Sequence, residues 1–103
     1  MMLIERMTFV ARYGKGDALL DSLREFNRLF GARLGSPGRV ATDRTGRMFR
    51  IVWDIDHADL AAWAASTATE REIFGTPEFA EWFAKMEPLV ESGDRELFEA
   101  VDL

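Results

Sequence analysis

The chain of 103 residues contains no cysteine. That absence removes disulfides, thiolate metal sites and cysteine nucleophiles together. Histidine occurs once, as His57, so any imidazole chemistry at neutral pH rests on that residue. One histidine beside Asp56 and Asp59, with no HxxxH or HxH spacing, lacks the converging ligands that zinc or iron requires. Neither a metal nor a cofactor is expected. No apolar run approaches the roughly 20 residues of a membrane span, and the start MMLIERMTF has no basic segment leading into a long apolar one. A cytoplasmic location without a membrane partner is the default expectation. The patterns GxGxxG, GxxxxGK[ST] and GxSxG are missing, and YGKGD reads as a turn before a helix. Lys and Arg number 13 against 18 Asp and Glu, a net charge of -5. Those basic residues are scattered, which argues against nucleic acid as a partner.

What remains is an ordinary folded composition, 48% hydrophobic and 30% charged, and residues 1–103 read as one domain. The segment RMFRIVWDI, Arg47 to Ile55, is the central strand. It sets Phe49, Ile51, Trp53 and Ile55 on one side and Met48, Arg50, Val52 and Asp54 on the other. Met2 to Arg12 alternates as a first strand, with Ile4, Arg6, Thr8 and Val10 opposite Glu5, Met7, Phe9 and Ala11. Asp17 is placed to cap a helix whose stripe is Leu19, Leu20, Leu23, Phe26, Phe30 and Leu34. Gly35 ends it. Arg39 to Thr42 forms a short strand, joined through Asp43 to Gly46 to the central one as a hairpin. A second helix starts at Leu60 after an Asp56 or Asp59 cap and extends to about Ala68, with the span to Phe74 weaker. Thr76-Pro77 restarts it along Phe79, Trp82, Phe83, Met86 and Val90. Arg95 to Leu103 is the last strand.

Strand, helix, strand, strand, split helix, strand is the order of an α+β, ferredoxin-like βαββαβ domain. Such a domain has a four-stranded antiparallel sheet with its helices on one face. The other face then carries residues such as Ile4, Val10, Met48, Val52 and Phe98 without cover in the chain, which points to a homodimer whose sheets face each other. The segments RMTFVARYGKGDALLDSL, GRMFRIVWDIDHADLAAW and TPEFAEWFAKMEPLVESGDRELFEAV together resemble the dimeric α+β barrel superfamily. The resemblance is nearest to its NIPSNAP-like and antibiotic-biosynthesis-monooxygenase-like small domains. It implies a barrel formed by two protomers with a ligand-sized interior. It also implies activities that include cofactor-independent oxygenases, haem-degrading enzymes and isomerases. The Asn, Trp and His that converge on haem in the haem-degrading relatives find no counterpart here beyond Trp63, because Asn27 is the only asparagine and lies on the first helix.

The candidates for chemistry follow. His57, Arg50 and Asp54 are the catalytic candidates, His57 because Asp56 and Asp59 flank it and Asp54 as an alternative base. Arg6, Thr8 and Trp63 are the ligand-binding candidates, an arginine fork suiting a carboxylate or enolate. The structural alternative makes Arg50 and Asp54 an ion pair at the dimer seam and His57 a surface residue. Glu70, Glu72, Glu78 and Glu81 read as a solvated helix face. Two functions fit: small-molecule binding between the sheets, extending to monooxygenase-type chemistry on an aromatic or polyketide-like ligand, or a non-catalytic homodimeric interaction domain with a packed interior.

Overall fold

A computed structural model describes residues 1–103. Four strands, β1 (Leu3–Ala11), β2 (Arg39–Thr42), β3 (Arg50–His57) and β4 (Val90–Glu99), form one sheet in the order β2-β3-β1-β4. Every neighbouring pair is antiparallel. The helices are α1 (Gly16–Leu34), α2 (Leu60–Phe74) and α3 (Pro77–Met86), with a single 3-10 turn at Glu87–Leu89 leading into β4. This is the ferredoxin-like arrangement.

The register sorts the side chains. Met7 lies opposite Trp53 and Arg95, and Arg6 opposite Asp54 and Glu96. Residues paired across antiparallel strands point to the same face, so odd positions of β1 and β3 face the helices and even positions face away. Trp53 and Ile51 on the helix side join Leu19 and Leu23 of α1 and Trp82 and Met86 of α3 in the core. Two indole N–H groups fasten neighbouring segments, Trp82 of α3 to the Ser22 carbonyl of α1 at 2.7 Å and Trp53 of β3 to the Pro37 carbonyl ahead of β2 at 2.9 Å.

Helix ends follow from local chemistry. Asp59 accepts from the Ala62 N–H at 2.8 Å and Thr76 from the Phe79 N–H at 3.2 Å, ahead of Pro77 in the first turn. Asp17 is not a cap. Lys15 occupies that position, and Asp17 sits in the first turn, where its charge faces the positive end of the helix. Helix α2 runs the full way to Phe74.

Two strands differ from the sequence expectation. The central strand begins at Arg50, because the hairpin loop continues through Phe49 in a left-handed conformation, φ 59°. The Tyr13 ring meets Phe49 edge-on at 4.9 Å, and the Phe49 carbonyl accepts from Ala11 N–H at 2.8 Å. Asp43 closes the loop by accepting from Arg50 N–H at 2.8 Å. The last strand starts at Val90 and ends at Glu99, since α3 stops at Met86 and the pairing with β1 takes up Val90 and Ser92 across a bulge. Gly38 has φ 71°, and a Cβ there would lie 2.5 Å from the Asp54 carbonyl and 2.7 Å from the Trp53 indole nitrogen. Gly38→Ala therefore displaces the β2 entry and the Trp53 anchor together, and chemical denaturation is expected to show a loss of about 2–3 kcal/mol.

Candidate functional site

Between the sheet and the helices lies a cavity of about 160 Å3. Phe9, Phe26, Phe79 and Trp82 are among its walls, and of its lining residues only Glu70 and Arg95 are charged. The exposed rings of Phe74 and Phe83 belong to the same lining and mark where it meets solvent. Aromatic walls arise here because β1, α1 and α3 each turn their apolar stripe to this space, and flat rings do not fill it as branched aliphatics would.

At the charged end four elements each contribute one side chain. Glu5 of β1 is 2% exposed, and His57 of β3 and Glu70 of α2 are each 7% exposed. His57 Nε2 lies 3.1 Å from Glu5 Oε1. A carboxylate only accepts, so Nε2 carries the hydrogen and donates. Arg95 of β4 stands between the two acids, its Nε 3.5 Å from Glu5 Oε2 and its Nη2 3.5 Å from Glu70 Oε2. Burial raises the Glu70 carboxyl above its ordinary value of 4.5; Arg95 and His57 oppose the shift, and the Glu5 charge adds to it.

The opposite face of the sheet holds a second charged group. Arg6 grips Asp54 with both arms of its fork, Nε to Oδ1 at 2.8 Å and Nη2 to Oδ2 at 2.9 Å, and Arg39 Nη2 is 3.6 Å from the same carboxylate. The Arg6 hydrogen bond holds Asp54 below its ordinary 3.8, against the opposing effect of burial. The Phe98 ring lies 5.8 Å from the Arg6 guanidinium carbon. Thr8 is half-buried on this face, opposite Val52 and Asp94.

These placements revise several sequence expectations. Asp54 pairs with Arg6 and Arg39, not with Arg50, whose Nη2 instead reaches the Thr45 carbonyl at 3.5 Å. His57 is not a surface residue between Asp56 and Asp59; it is the last residue of β3, buried against Glu5. Arg6, Thr8, Arg50 and Asp54 share the open sheet face, while His57 lies on the helix face, so the six candidates do not converge on one site. Trp63 does not line the cavity, and its indole N–H is buried without an acceptor. Glu70, expected among solvated acids, is buried at the cavity. Pattern in the sequence does not mark Glu5, Glu70 and Arg95 as one site. A signal for Glu5 was present, because it shares its strand face with Met7, Phe9 and Ala11, and an acid on an apolar face needs a partner.

The two carboxylates pull stability in opposite directions with pH. Asp54 is depressed in the folded chain, so its contribution is present above 3.8 and is lost as pH falls toward its folded value. Glu70 is raised, so its contribution is complete below 4.5 and is lost as pH rises through its folded value. In melts across pH, Asp54→Asn should flatten the acid side of the stability profile. Glu70→Gln should flatten the decline above it.

The sequence matches no family model and no curated protein. Solved structures do match. A NIPSNAP family protein from Agrobacterium tumefaciens superposes with a TM-score of 0.81 at 18% identity, over 99% of this chain and 95% of that one. An uncharacterized NIPSNAP domain protein from Burkholderia xenovorans does so at 0.76 and 16%, over 96% and 94%. The fold is that of the NIPSNAP proteins. A candidate antibiotic biosynthesis monooxygenase from Nitrosomonas europaea shares it, with a TM-score of 0.66 at 13% identity over 97% of this chain and 90% of its own. At such identities the likeness is one of NIPSNAP-like fold, and the chemistry of the Glu5, His57, Glu70 and Arg95 cluster is read from this chain alone.

Proposed function

We propose that this protein binds a small aromatic molecule in the cavity between its sheet and its helices, and that it does so as a homodimer whose sheets face each other. The observation that carries the binding reading is the cavity itself: aromatic walls, one charged pair at one end, and a volume of about 160 Å3. An apolar cavity of about 150 Å3 is enough to admit benzene, so one ring with a substituent fits better than a polycyclic ligand. Enclosure by apolar walls with few polar groups is the usual design of a small-molecule site. The enzymatic form of this reading is cofactor-independent, monooxygenase-type chemistry on the bound ring, which the likeness in fold to the Nitrosomonas europaea protein supports. The dimer reading rests on the exposed length of β4 and on Phe98, whose exposed ring lies opposite Ile4 on the sheet face turned away from the helices.

4-Nitrotoluene tests the cavity, because a nitroaromatic bound beside Trp53 and Trp82 quenches their emission. The quench should saturate, and Leu34→Trp, which places an indole in the lining from a half-buried position, should weaken it at least tenfold. A linear, unsaturable quench in the parent would instead favour a packed, non-catalytic domain. Sedimentation at micromolar concentration tests the dimer, and a monomer mass refutes it.

A further inference from the structure

We infer that a second site lies in the groove between the end of α1 and α2, where the free Nδ1 of His57 and the uncapped carbonyls of α1 take a primary alkylammonium ion. The site goes beyond the cavity reading and depends on neither the cavity nor the dimer.

The groove has a volume of about 440 Å3. His57 lies in its floor at the end of β3, the last turn of α1 forms one wall, and Ala62 and Ala65 of α2 form the other. It adjoins the cavity and shares Leu34 and Ile55 with it, but His57 lines the groove and not the cavity. Because His57 stands on the helix side of the sheet, the groove stays open when the other face is covered.

His57 is 7% exposed, and its single side-chain hydrogen bond joins Nε2 to Glu5 at 3.1 Å. In a neutral imidazole the nitrogen without the hydrogen is an acceptor, so the bond to Glu5 leaves a lone pair on Nδ1. The one fully enclosed side-chain nitrogen or oxygen that lacks a partner is the Trp63 indole nitrogen. Nδ1, also without a partner, is therefore not sealed in, and the groove is the space that His57 borders. Glu5 fixes the ring from behind, which fixes where that lone pair is offered.

The α1 wall also calls for donors. Helices α2 and α3 each close on a backbone N–H of the capping residue, Gly75 and Glu87. Helix α1 does not. Gly35 turns away at φ 85°, Pro37 has no N–H, and the Gly38 N–H goes to the Ser36 hydroxyl at 3.3 Å. No backbone N–H beyond the helix donates to the carbonyls of Gly31 to Leu34. Those carbonyls form the negative end of the helix dipole, which favours a cation. Of the charged residues in the lining, Arg33 is drawn to Glu72 at 3.3 Å, and Asp56 occupies a β3 position that faces away. A primary ammonium carries three N–H donors and no lone pair, so it can satisfy Nδ1 and two carbonyls together while its stem lies on the alanine wall. An anion would meet lone pairs on both sides.

The ion can be a free amine or the end of a lysine side chain, and the choice of probe separates the two. His57 is the only histidine, so its imidazole NMR signals need no assignment. With the full chain at about pH 8.5, above the usual histidine range, n-butylammonium is expected to shift the Nδ1 resonance along a saturating curve. The n-butyltrimethylammonium ion, with the same stem and charge but no N–H, should bind at least tenfold more weakly. Nα-acetyl-lysinamide binding at least as tightly as n-butylammonium assigns the site to a lysine side chain, and weaker binding assigns it to a free amine. Ala65→Arg sets a competing guanidinium at an exposed groove position and should weaken n-butylammonium at least fivefold in a chain that melts like the parent. No saturable shift with n-butylammonium in the parent, or equal binding of the two butyl probes, overturns the inference, and neither comparison needs a variant. Unchanged n-butylammonium affinity in folded Ala65→Arg overturns the groove as its place. Each of these failures leaves the 4-nitrotoluene quench, and with it the cavity reading, intact.

Discussion

Replacing Trp82 by alanine lowers the free energy of unfolding by about 3–5 kcal/mol, the range for truncating a large buried aromatic. Trp82 is 8% exposed and ties α3 to α1. Its ring lies 4.9 Å from Phe26 of α1 and 5.5 Å from Phe79 of its own helix, and its N–H donates to the Ser22 carbonyl at 2.7 Å. Alanine removes the ring contacts and the link from α3 to α1 at once, and it opens a void continuous with the existing cavity. A domain of this size holds about 5–15 kcal/mol in total, so the variant should be partly unfolded well below the parent's midpoint. Trp82→Phe separates the contributions: it restores most of the packing and loses the hydrogen bond, at an expected cost of about 1–2 kcal/mol. Equilibrium denaturation of both variants is the measurement, and a loss under about 1 kcal/mol for Trp82→Ala would show that the neighbouring rings collapse into the space.

Much of this layer could be read from the sequence because its signals are local. The spacing of Leu19, Leu23 and Phe30 marks α1, and Thr76-Pro77 marks the start of α3. Gly35, at φ 85°, ends the first helix where only glycine adopts that conformation freely. The parity of Ile51, Trp53 and Ile55 correctly gave the helix-facing side of β3. The same parity extends to His57, two positions beyond Ile55, where the sequence pattern ends the strand. Phe49 shows the limit of pattern: a left-handed phenylalanine is held by Tyr13 and Ala11, and no periodicity announces it. The charged groups needed register. Asp54 meets an arginine 48 positions away, and the Glu5, His57, Glu70 and Arg95 cluster draws one residue from each of β1, β3, α2 and β4. Singly, His57 and Glu70 read as surface. They become a site only when the sheet order sets β4 beside β1 and the fold brings Glu70 of α2 to Arg95.

The cluster should respond sharply to loss of its histidine. His57→Ala leaves Glu5, 2% exposed, without the donor at 3.1 Å and with only the longer contact to Arg95 at 3.5 Å. Removing one member of a buried charged or hydrogen-bonded pair strands the other in a space that cannot solvate it, and the expected loss is about 3–5 kcal/mol. Glu5→Leu is expected to cost less than His57→Ala, because an apolar side chain suits a face shared with Leu3 and Met7 and no carboxylate is left buried without a donor. The double variant, Glu5→Leu with His57→Ala, should be more stable than the sum of the two single losses allows, by about 0.5–3 kcal/mol. Denaturation of the parent, both single variants and the double variant closes the cycle. Strict additivity would mean that the two groups are neighbours without being partners, and the anchoring of Arg95 through Glu5 would then have to come from the backbone of β1 and β4 alone.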